Sequence, residues 1–183
     1  SFVLSLGGNK MTNDISVGLR TPMAEAERIK LKYGTCITDK VGNDETIEIA
    51  DISGGSGRKL PRQILAEILE PRVEEIFTLI KRELFRAGMK NGISSGIVLT
   101  GGAALLEGIG DIAESVFEHS VRIGRPQGVS GLVDVVNNPM YATGVGLVIY
   151  GAKHQEQKKF RIRDNNIFNR IVKRMKAWFR EIM

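Results

Sequence analysis

The sequence predicts a mixed α/β fold followed by a separate basic amphipathic helix. Short apolar segments bounded by glycine turns alternate with longer segments in which apolar residues recur every three or four positions, which indicates strands and helices respectively. The composition, 42% hydrophobic and 26% charged over 183 residues, is that of a globular chain long enough to bury a core. The last eighteen residues differ from this globular composition, because aromatic and basic residues alternate there with helical spacing.

The first elements are predicted before residue 35. Residues 2–6 indicate the end of a strand, and because the chain starts inside this apolar segment we expect further sequence upstream. A helix is predicted over residues 11–19. A second helix opens at Thr21-Pro22, with threonine as the cap and proline in the first position, and it ends at Gly34.

The next elements surround a long helix. Residues 46–52 alternate between polar and apolar, which predicts a half-buried strand, and the glycines of residues 54–57 predict a turn. That turn is not a phosphate loop, because no Gly-Lys-Ser/Thr follows. Residues 62–87 predict a long helix that Pro71 kinks or breaks.

The remaining body elements are shorter. Residues 96–100 predict a short buried strand, followed by a Gly101-Gly102 turn and a helix over residues 106–117. Residues 121–123 predict another strand, and Pro139 opens a last body helix that runs through Ile149. Residues 153–165 are polar and predict a flexible linker.

Residues 166–183 are predicted to form an amphipathic helix. Tryptophan and phenylalanine on one face and Lys/Arg on the other are typical of a helix at a lipid headgroup boundary, although the segment is too charged to span a bilayer. The same apolar face would also suit packing on the protein's own core, so both interpretations stay open. The predicted membrane-binding residues are Phe168, Ile171, Val172, Met175, Trp178, Phe179 and Ile182 on the apolar face and Arg170, Lys173, Arg174, Lys176 and Arg180 on the basic face.

The net charge of +5 is unevenly divided. From Lys153 onward there are ten Lys/Arg against three acids, a net of +7, so the remaining residues carry −2. This favours an anionic surface touched by the tail over a nucleic-acid groove in the body. Cys36 is the only cysteine, so no intrachain disulfide forms, and neither histidine belongs to a hydrolytic or metal-binding motif.

Two features of the body could bind a ligand. The Gly101-Gly102 turn between a strand and a helix would let a polar or anionic group approach the backbone, although many α/β turns carry paired glycines for packing alone. Glu27 and Lys30 lie three apart on one helical face, where they could bracket a polar ligand or form an ordinary ion pair. The residues themselves leave both alternatives open.

Several segments together resemble one family. GGNKMTNDISVGLRTPMAEAERIKLKYG, LTGGAALLEGI, VRIGRP and PMYATGVGLVIYG, in this order and followed by a basic amphipathic tail, are similar to the C-terminal half of the bacterial cell-division family FtsA. The resemblance implies one lobe of an actin-like (ribonuclease-H-like) ATPase fold with an inserted subdomain. Residues 1–12 and 70–152 would form subdomain 2A, residues 13–69 subdomain 2B, and residues 166–183 a membrane-targeting helix.

The resemblance also implies a nucleotide site. Gly101, Gly102 and Ala103 match the adenosine-motif turn of the superfamily, and Glu27 and Lys30 match the helix that faces adenine and ribose. The full-length protein would bind ATP with Mg and polymerise. The phosphate loops are absent from this chain, so we expect it to bind ATP weakly or not at all and not to act as an enzyme by itself.

The implied function is to tether the ring of the tubulin-like FtsZ to the cytoplasmic face of the inner membrane at the division septum. The implied partners are the acidic FtsZ C-terminal peptide, further copies of the protein, other division proteins and an anionic membrane surface, with no nucleic acid. The candidate peptide-binding residues are Arg72, Arg58 and Arg62. The alternative is a catalytic ATPase or kinase of the actin/heat-shock superfamily.

Overall fold

The computed structural model describes residues 1–49, 57–89, 95–129 and 136–155. The chain divides into two compact units, Ser1–Val145 and Gly146–Met183. The predicted tail helix and most of the predicted linker lie outside the described residues.

In the first half of the chain, the described residues form three α-helices and a hairpin. Helix α1 spans Gly8–Leu19 and α2 spans Met23–Tyr33. Strands β1 (Thr46–Ile49) and β2 (Arg58–Pro61) pair antiparallel, with Thr46 opposite Pro61. Helix α3, Arg62–Arg86, follows directly and packs against α1 on one side and α4 on the other.

The second half contains a parallel strand pair. Strand β3 (Ile97–Leu99) pairs with β4 (Val121–Ile123), with Ile97 opposite Val121, and helix α4 (Ile109–Phe117) connects them. A parallel pair needs such a crossover because a tight turn can only join antiparallel strands. A single 3₁₀ turn, Pro139–Tyr141, precedes helix α5, which spans Ala142–Gln155.

The core lies where α3 meets its neighbours. Phe77 of α3 packs on Phe117 of α4 with ring centroids 5.5 Å apart, in the tilted arrangement that aromatic pairs prefer. The apolar residues of α1, α2, α3 and β1 that the structure buries almost completely are Met11, Ile15, Leu19, Ala26, Ile29, Ile47, Ile49, Leu65, Ala66, Leu69 and Val73. These are the residues that recur at helical or strand spacing, so the predicted periodicities are confirmed for these elements.

Two sequence predictions near the start of the chain need correction. Residues 2–6 form no strand, because none of the described strands pairs with them and they stay largely exposed. Pro22, not Thr21, is the cap residue of α2, which begins at Met23. The Thr21 hydroxyl instead lies buried without a hydrogen-bond partner among the described residues.

Pro71 does not break α3, which runs unbroken through twenty-five residues. A proline within a helix leaves the carbonyl four residues earlier without its donor. Here both Pro71 and Glu67, which carries that carbonyl, are exposed, so water can satisfy the carbonyl.

The remaining corrections concern boundaries and burial. Strand β3 is only half-buried, since Val98 is 50% exposed. Helix α4 begins at Ile109 rather than residue 106, because Gly108 has a positive φ of 81° and ends a preceding turn. Helix α5 continues to Gln155, so the predicted linker does not begin at Lys153. The predicted turn at residues 54–57 lies outside the described residues except for Gly57.

Candidate nucleotide site

Four of the five predicted ligand-binding residues line a single cavity of about 390 Å³. Glu27 and Lys30 come from α2, and Gly102 and Ala103 come from the turn after β3, more than seventy residues later. Gly101 is the fifth and does not line the cavity. The rest of the wall is formed by Gly8, Met11, Leu31, Gly34, Leu105, Leu106 and Met140.

The turn after β3 depends on Gly101. Its φ of 94° lies in the region that glycine adopts without steric cost. The Gly101 N–H donates to the Pro139 carbonyl at 3.0 Å, and the Thr100 hydroxyl donates to the Gly124 carbonyl at 3.0 Å. Gly101 therefore shapes the turn, while the 3₁₀ segment Gly102–Leu105 forms the cavity wall.

Backbone contacts hold the end of α2 against this turn. Thr35 forms an isolated parallel β-bridge with Glu107, and the Cys36 N–H donates to the Glu107 carbonyl at 2.9 Å. The Cys36 thiol donates to the same carbonyl at 3.1 Å. Burial raises the pKa of Cys36 to about 12, so the thiol keeps its proton and serves as a donor rather than a nucleophile.

Glu27 and Lys30 form an ion pair inside the cavity wall. The Lys30 Nζ lies 2.7 Å from Glu27 Oε2, 2.8 Å from the Thr12 hydroxyl and 3.2 Å from the Gly8 carbonyl. The Thr12 hydroxyl also contacts Glu27 Oε2. The Lys30 side chain is 12% exposed and that of Glu27 is 41% exposed, so the carboxylate is the more accessible partner.

The pKa of Glu27 lies below its ordinary value. Partial burial acts to raise it, but the hydrogen bonds from Lys30 and Thr12 and the nearby Lys30 charge together outweigh that effect. Glu27 is therefore an acceptor-only carboxylate at neutral pH, suited to binding ligand hydroxyl groups.

Part of the cavity wall is apolar and accessible. Leu31 is 75% exposed, Leu105 is 51% exposed and Met140 is 52% exposed. Exposed aliphatic side chains around a cavity with one carboxylate suit a ligand that combines a flat apolar ring with hydroxyl groups. Among the described residues, no group of His, Cys, Asp and Glu has the arrangement of a metal site.

The three predicted peptide-binding arginines do not form one cluster. The Arg72 guanidinium pairs with Asp14 of α1, with one contact at 3.2 Å, and also contacts Glu75. Arg58 donates to the Leu19 carbonyl at the end of α1. Arg58 and Arg72 thus both face α1.

Arg62 lies elsewhere. It donates to the Tyr33 carbonyl at 2.9 Å and pairs with Glu45 at 2.7 Å and with Glu107. Its side chain is 19% exposed, and its guanidinium joins α2, the residues before β1 and the turn that carries the cavity wall. These contacts give Arg62 a structural role next to the cavity.

The predicted membrane-binding residues lie outside the described residues. None of the helices that the structure describes has the length and hydropathy needed to cross a bilayer.

Sequence reasoning missed the part of the site that α1 contributes. Thr12 and Gly8 contact Lys30 across the packed α1 and α2 helices, and Met140 comes from the 3₁₀ turn before α5. The local signal available in the sequence is the Gly7-Gly8 pair, which is typical of a turn but does not indicate which residues pack against it.

The comparisons with known proteins point to one family. The family model "Cell division protein FtsA" matches residues 1–146. The chain is 46% identical over 153 residues to the cell division protein FtsA of Pseudomonas aeruginosa, covering 84% of this chain and 37% of that protein. It is 37% identical over 188 residues to FtsA of Escherichia coli K12, covering 98% of this chain and 45% of that protein. The chain thus spans less than half the length of these relatives.

Solved structures show the same fold class. The chain matches MreB5 of Spiroplasma citri bound to ADP with a TM-score of 0.62 at 20% identity, over 84% of this chain and 46% of that one. The AMPPNP-bound form of MreB5 matches equally well. The ethanolamine utilization protein EutJ of Carboxydothermus hydrogenoformans matches with a TM-score of 0.51 at 17% identity, over 82% of this chain and 40% of that one. The fold is therefore that of the actin-like ATPases.

Proposed function

The chain belongs to the FtsA family of cell-division proteins, and from that premise we propose that it is part of an adaptor that tethers the FtsZ ring to the membrane. In this proposal the tail binds the cytoplasmic face of the inner membrane at the septum. The inserted subdomain receives the FtsZ C-terminal peptide. ATP with Mg, bound by the whole protein, promotes assembly of further copies into filaments and contact with other division proteins.

One observation supports nucleotide binding most directly: the cavity that collects Glu27, Lys30, Gly102 and Ala103 from two distant segments. Glu27 supplies an ionised carboxylate for ribose hydroxyl groups, and the exposed Leu31, Leu105 and Met140 form an apolar border for adenine. MreB5, which shares the fold, has been solved with ADP and with AMPPNP.

Replacing Gly102 with leucine is expected to abolish nucleotide binding. The longer side chain would occupy the cavity, and Gly102 has no positive φ that would strain the substitution. NMR shift changes on titration with ATP and Mg at millimolar concentration measure the weak binding expected of this chain. Gly110→Leu is the matched control, because a Cβ added there meets no atom within 4 Å.

The same titration tests where the nucleotide binds, and a phosphate-release assay distinguishes the adaptor from the alternative. ATP-dependent shifts that survive Gly102→Leu but not Gly110→Leu would place the nucleotide elsewhere. Phosphate release catalysed by the chain would support the catalytic ATPase instead.

The proposed subdomain division keeps residues 1–12 and 70–152 as subdomain 2A and residues 13–69 as subdomain 2B. It is supported by the β1–β2 hairpin, whose strands both lie within residues 13–69. Helix α3 crosses the proposed boundary at residue 70 and packs against both α1 and α4. A continuous helix of this kind would join the two subdomains firmly.

Arg72 remains the best candidate for the acidic FtsZ peptide, because it lies near the proposed boundary and its side chain is 27% exposed. Since Asp14 already pairs with Arg72, a peptide carboxylate would have to share or displace that contact. Arg58 faces α1 as well and is the second candidate, whereas the contacts of Arg62 make it the weakest of the three.

Replacing Arg72 with glutamate is expected to weaken peptide binding by about 2 kcal/mol or more, through loss of a charge pair and new repulsion. Asp14→Asn should strengthen binding, because it removes the competing carboxylate. Fluorescence anisotropy of a labelled peptide measures both effects. Arg82→Glu, the same charge change at an exposed position of α3, is the control, and an equal loss in both variants would exclude Arg72 from the site.

A further inference from the structure

Lys30 has no hydrogen atom left for a ligand. An ammonium group donates three hydrogen bonds, and its three acceptors here are the Gly8 carbonyl, the Thr12 hydroxyl and Glu27 Oε2. A hydrogen bond from Lys30 to a ligand would therefore replace one of these three, and the Lys30 side chain is only 12% exposed. Lys30 is placed to hold protein groups in position.

Thr12 completes the same arrangement from α1. Thr12 is 3% exposed, and its hydroxyl accepts from Lys30 and lies against both Glu27 Oε2 and the Gly8 carbonyl. The hydroxyl has one proton, and Lys30 already donates to Gly8, so the ionised carboxylate is the better acceptor for it.

Both donors meet the same oxygen of Glu27. Oε2 receives Lys30 and Thr12, whereas Oε1 has no hydrogen-bond partner among the described residues. Since Glu27 lines the cavity and is 41% exposed, the unengaged oxygen is the one available to a ligand.

We propose that Thr12 is a positioning residue: with Lys30 it holds Glu27 Oε2, so that Oε1 is left to accept a hydrogen bond from a ribose hydroxyl group. The ligand part of this inference rests on the proposed nucleotide function. In this arrangement Lys30 and Thr12 contact the Glu27 carboxylate and not the ligand, and Glu27 contacts the sugar.

The arrangement is tested first without nucleotide, by following the Glu27 side-chain ¹³C signal with pH in the 183-residue chain, assigned with Glu27→Gln. Thr12→Val removes the hydroxyl at nearly constant shape, so the pKa of Glu27 should rise toward its ordinary value. Thr12→Ser should restore the wild-type titration. An unchanged Glu27 titration in Thr12→Val would overturn the proposal.

Ribose recognition is tested by comparing ATP with 2′,3′-dideoxy-ATP. Thr12→Val should weaken ATP binding roughly tenfold, the effect expected of one hydrogen bond to a charged group, and should leave the dideoxy analogue almost unaffected. Equal losses for the two nucleotides would show a general structural role and contradict the proposal.

Thr21→Val is the matched control, because it also removes a buried threonine hydroxyl. Unlike that of Thr12, the Thr21 hydroxyl has no hydrogen-bond partner among the described residues. It should change neither the Glu27 titration nor the preference for ATP. If neither nucleotide perturbs the wild-type chain, the ribose part of this inference fails for the chain, and the titration still decides whether Thr12 holds Glu27.

Discussion

A chain in which Trp178 and Phe179 are both replaced by glutamate is expected not to sediment with anionic vesicles. Residues 166–183 carry five basic groups and one acid, a net of +4, and each cation near an anionic leaflet contributes about 1 kcal/mol. Burial of the aromatic side chains in the acyl boundary should contribute at least as much, at roughly 25 cal/mol per Å². The double substitution removes the largest apolar groups and halves the net charge.

Sedimentation with anionic and neutral vesicles, at low and high salt, measures the effect. The wild-type chain should bind anionic vesicles strongly and neutral ones weakly, and salt should weaken the binding in part. Trp178 is the only tryptophan, so its emission should shift to the blue when the wild-type chain binds. Leu147→Glu with Val148→Glu is the matched control, because these α5 residues are 66% and 72% exposed and receive the same charge change.

Two results would contradict the membrane proposal. The first is sedimentation of the Trp178/Phe179 variant at the wild-type level. The second is a Trp178 emission that is already blue-shifted without lipid and insensitive to it, since the apolar face would then be packed on protein. Equal losses in the tail variant and the α5 control would show that charge alone, and not the aromatic face, controls binding.

Local patterns were sufficient for most of the fold. The helical spacing of Leu65, Leu69 and Val73 predicts the buried face of α3, and the structure confirms it. The spacing of Glu27 and Lys30 likewise predicts one helical face. Predictions failed where an element forms only if a distant segment of the chain pairs with it. Residues 2–6 have the apolar character of a strand, but none of the described strands pairs with them.

Only part of the candidate site could be predicted from the sequence, because the other part depends on contacts between distant segments. Spacing placed Glu27 beside Lys30, but only the packing of α1 on α2 brings Thr12 to the same carboxylate oxygen. The three arginines show the converse, because they carry the same charge and lie near one another in the sequence, yet they contact different segments of the chain. Arg62 instead has acceptors in three separate segments, and Arg72 has Asp14 of α1.

Replacing Gly34 with alanine is expected to destabilise the chain by about 3 kcal/mol, as overpacking of a tight interior contact does. The new Cβ would lie 2.3 Å from the Lys30 carbonyl oxygen and 2.7 Å from Leu106 Cδ1. The backbone of Gly34 is extended, with φ −61°, so the cost comes from contact and not from torsional strain. The carbonyl cannot move away without losing the 2.9 Å hydrogen bond that ends α2.

Urea denaturation of wild type and variant measures the change in the free energy of unfolding. Gly110→Ala is the control, because its Cβ meets open space within α4 and alanine should there stabilise the chain by up to about 1 kcal/mol. Because Gly34, Lys30 and Leu106 all line the cavity, the Gly34 variant should also lose ATP-dependent NMR shifts while it is still folded. If the Gly34 variant were as stable as wild type, α2 and the turn after β3 could move apart to accommodate the new Cβ without a cost in free energy. The cavity would then not be a preformed site.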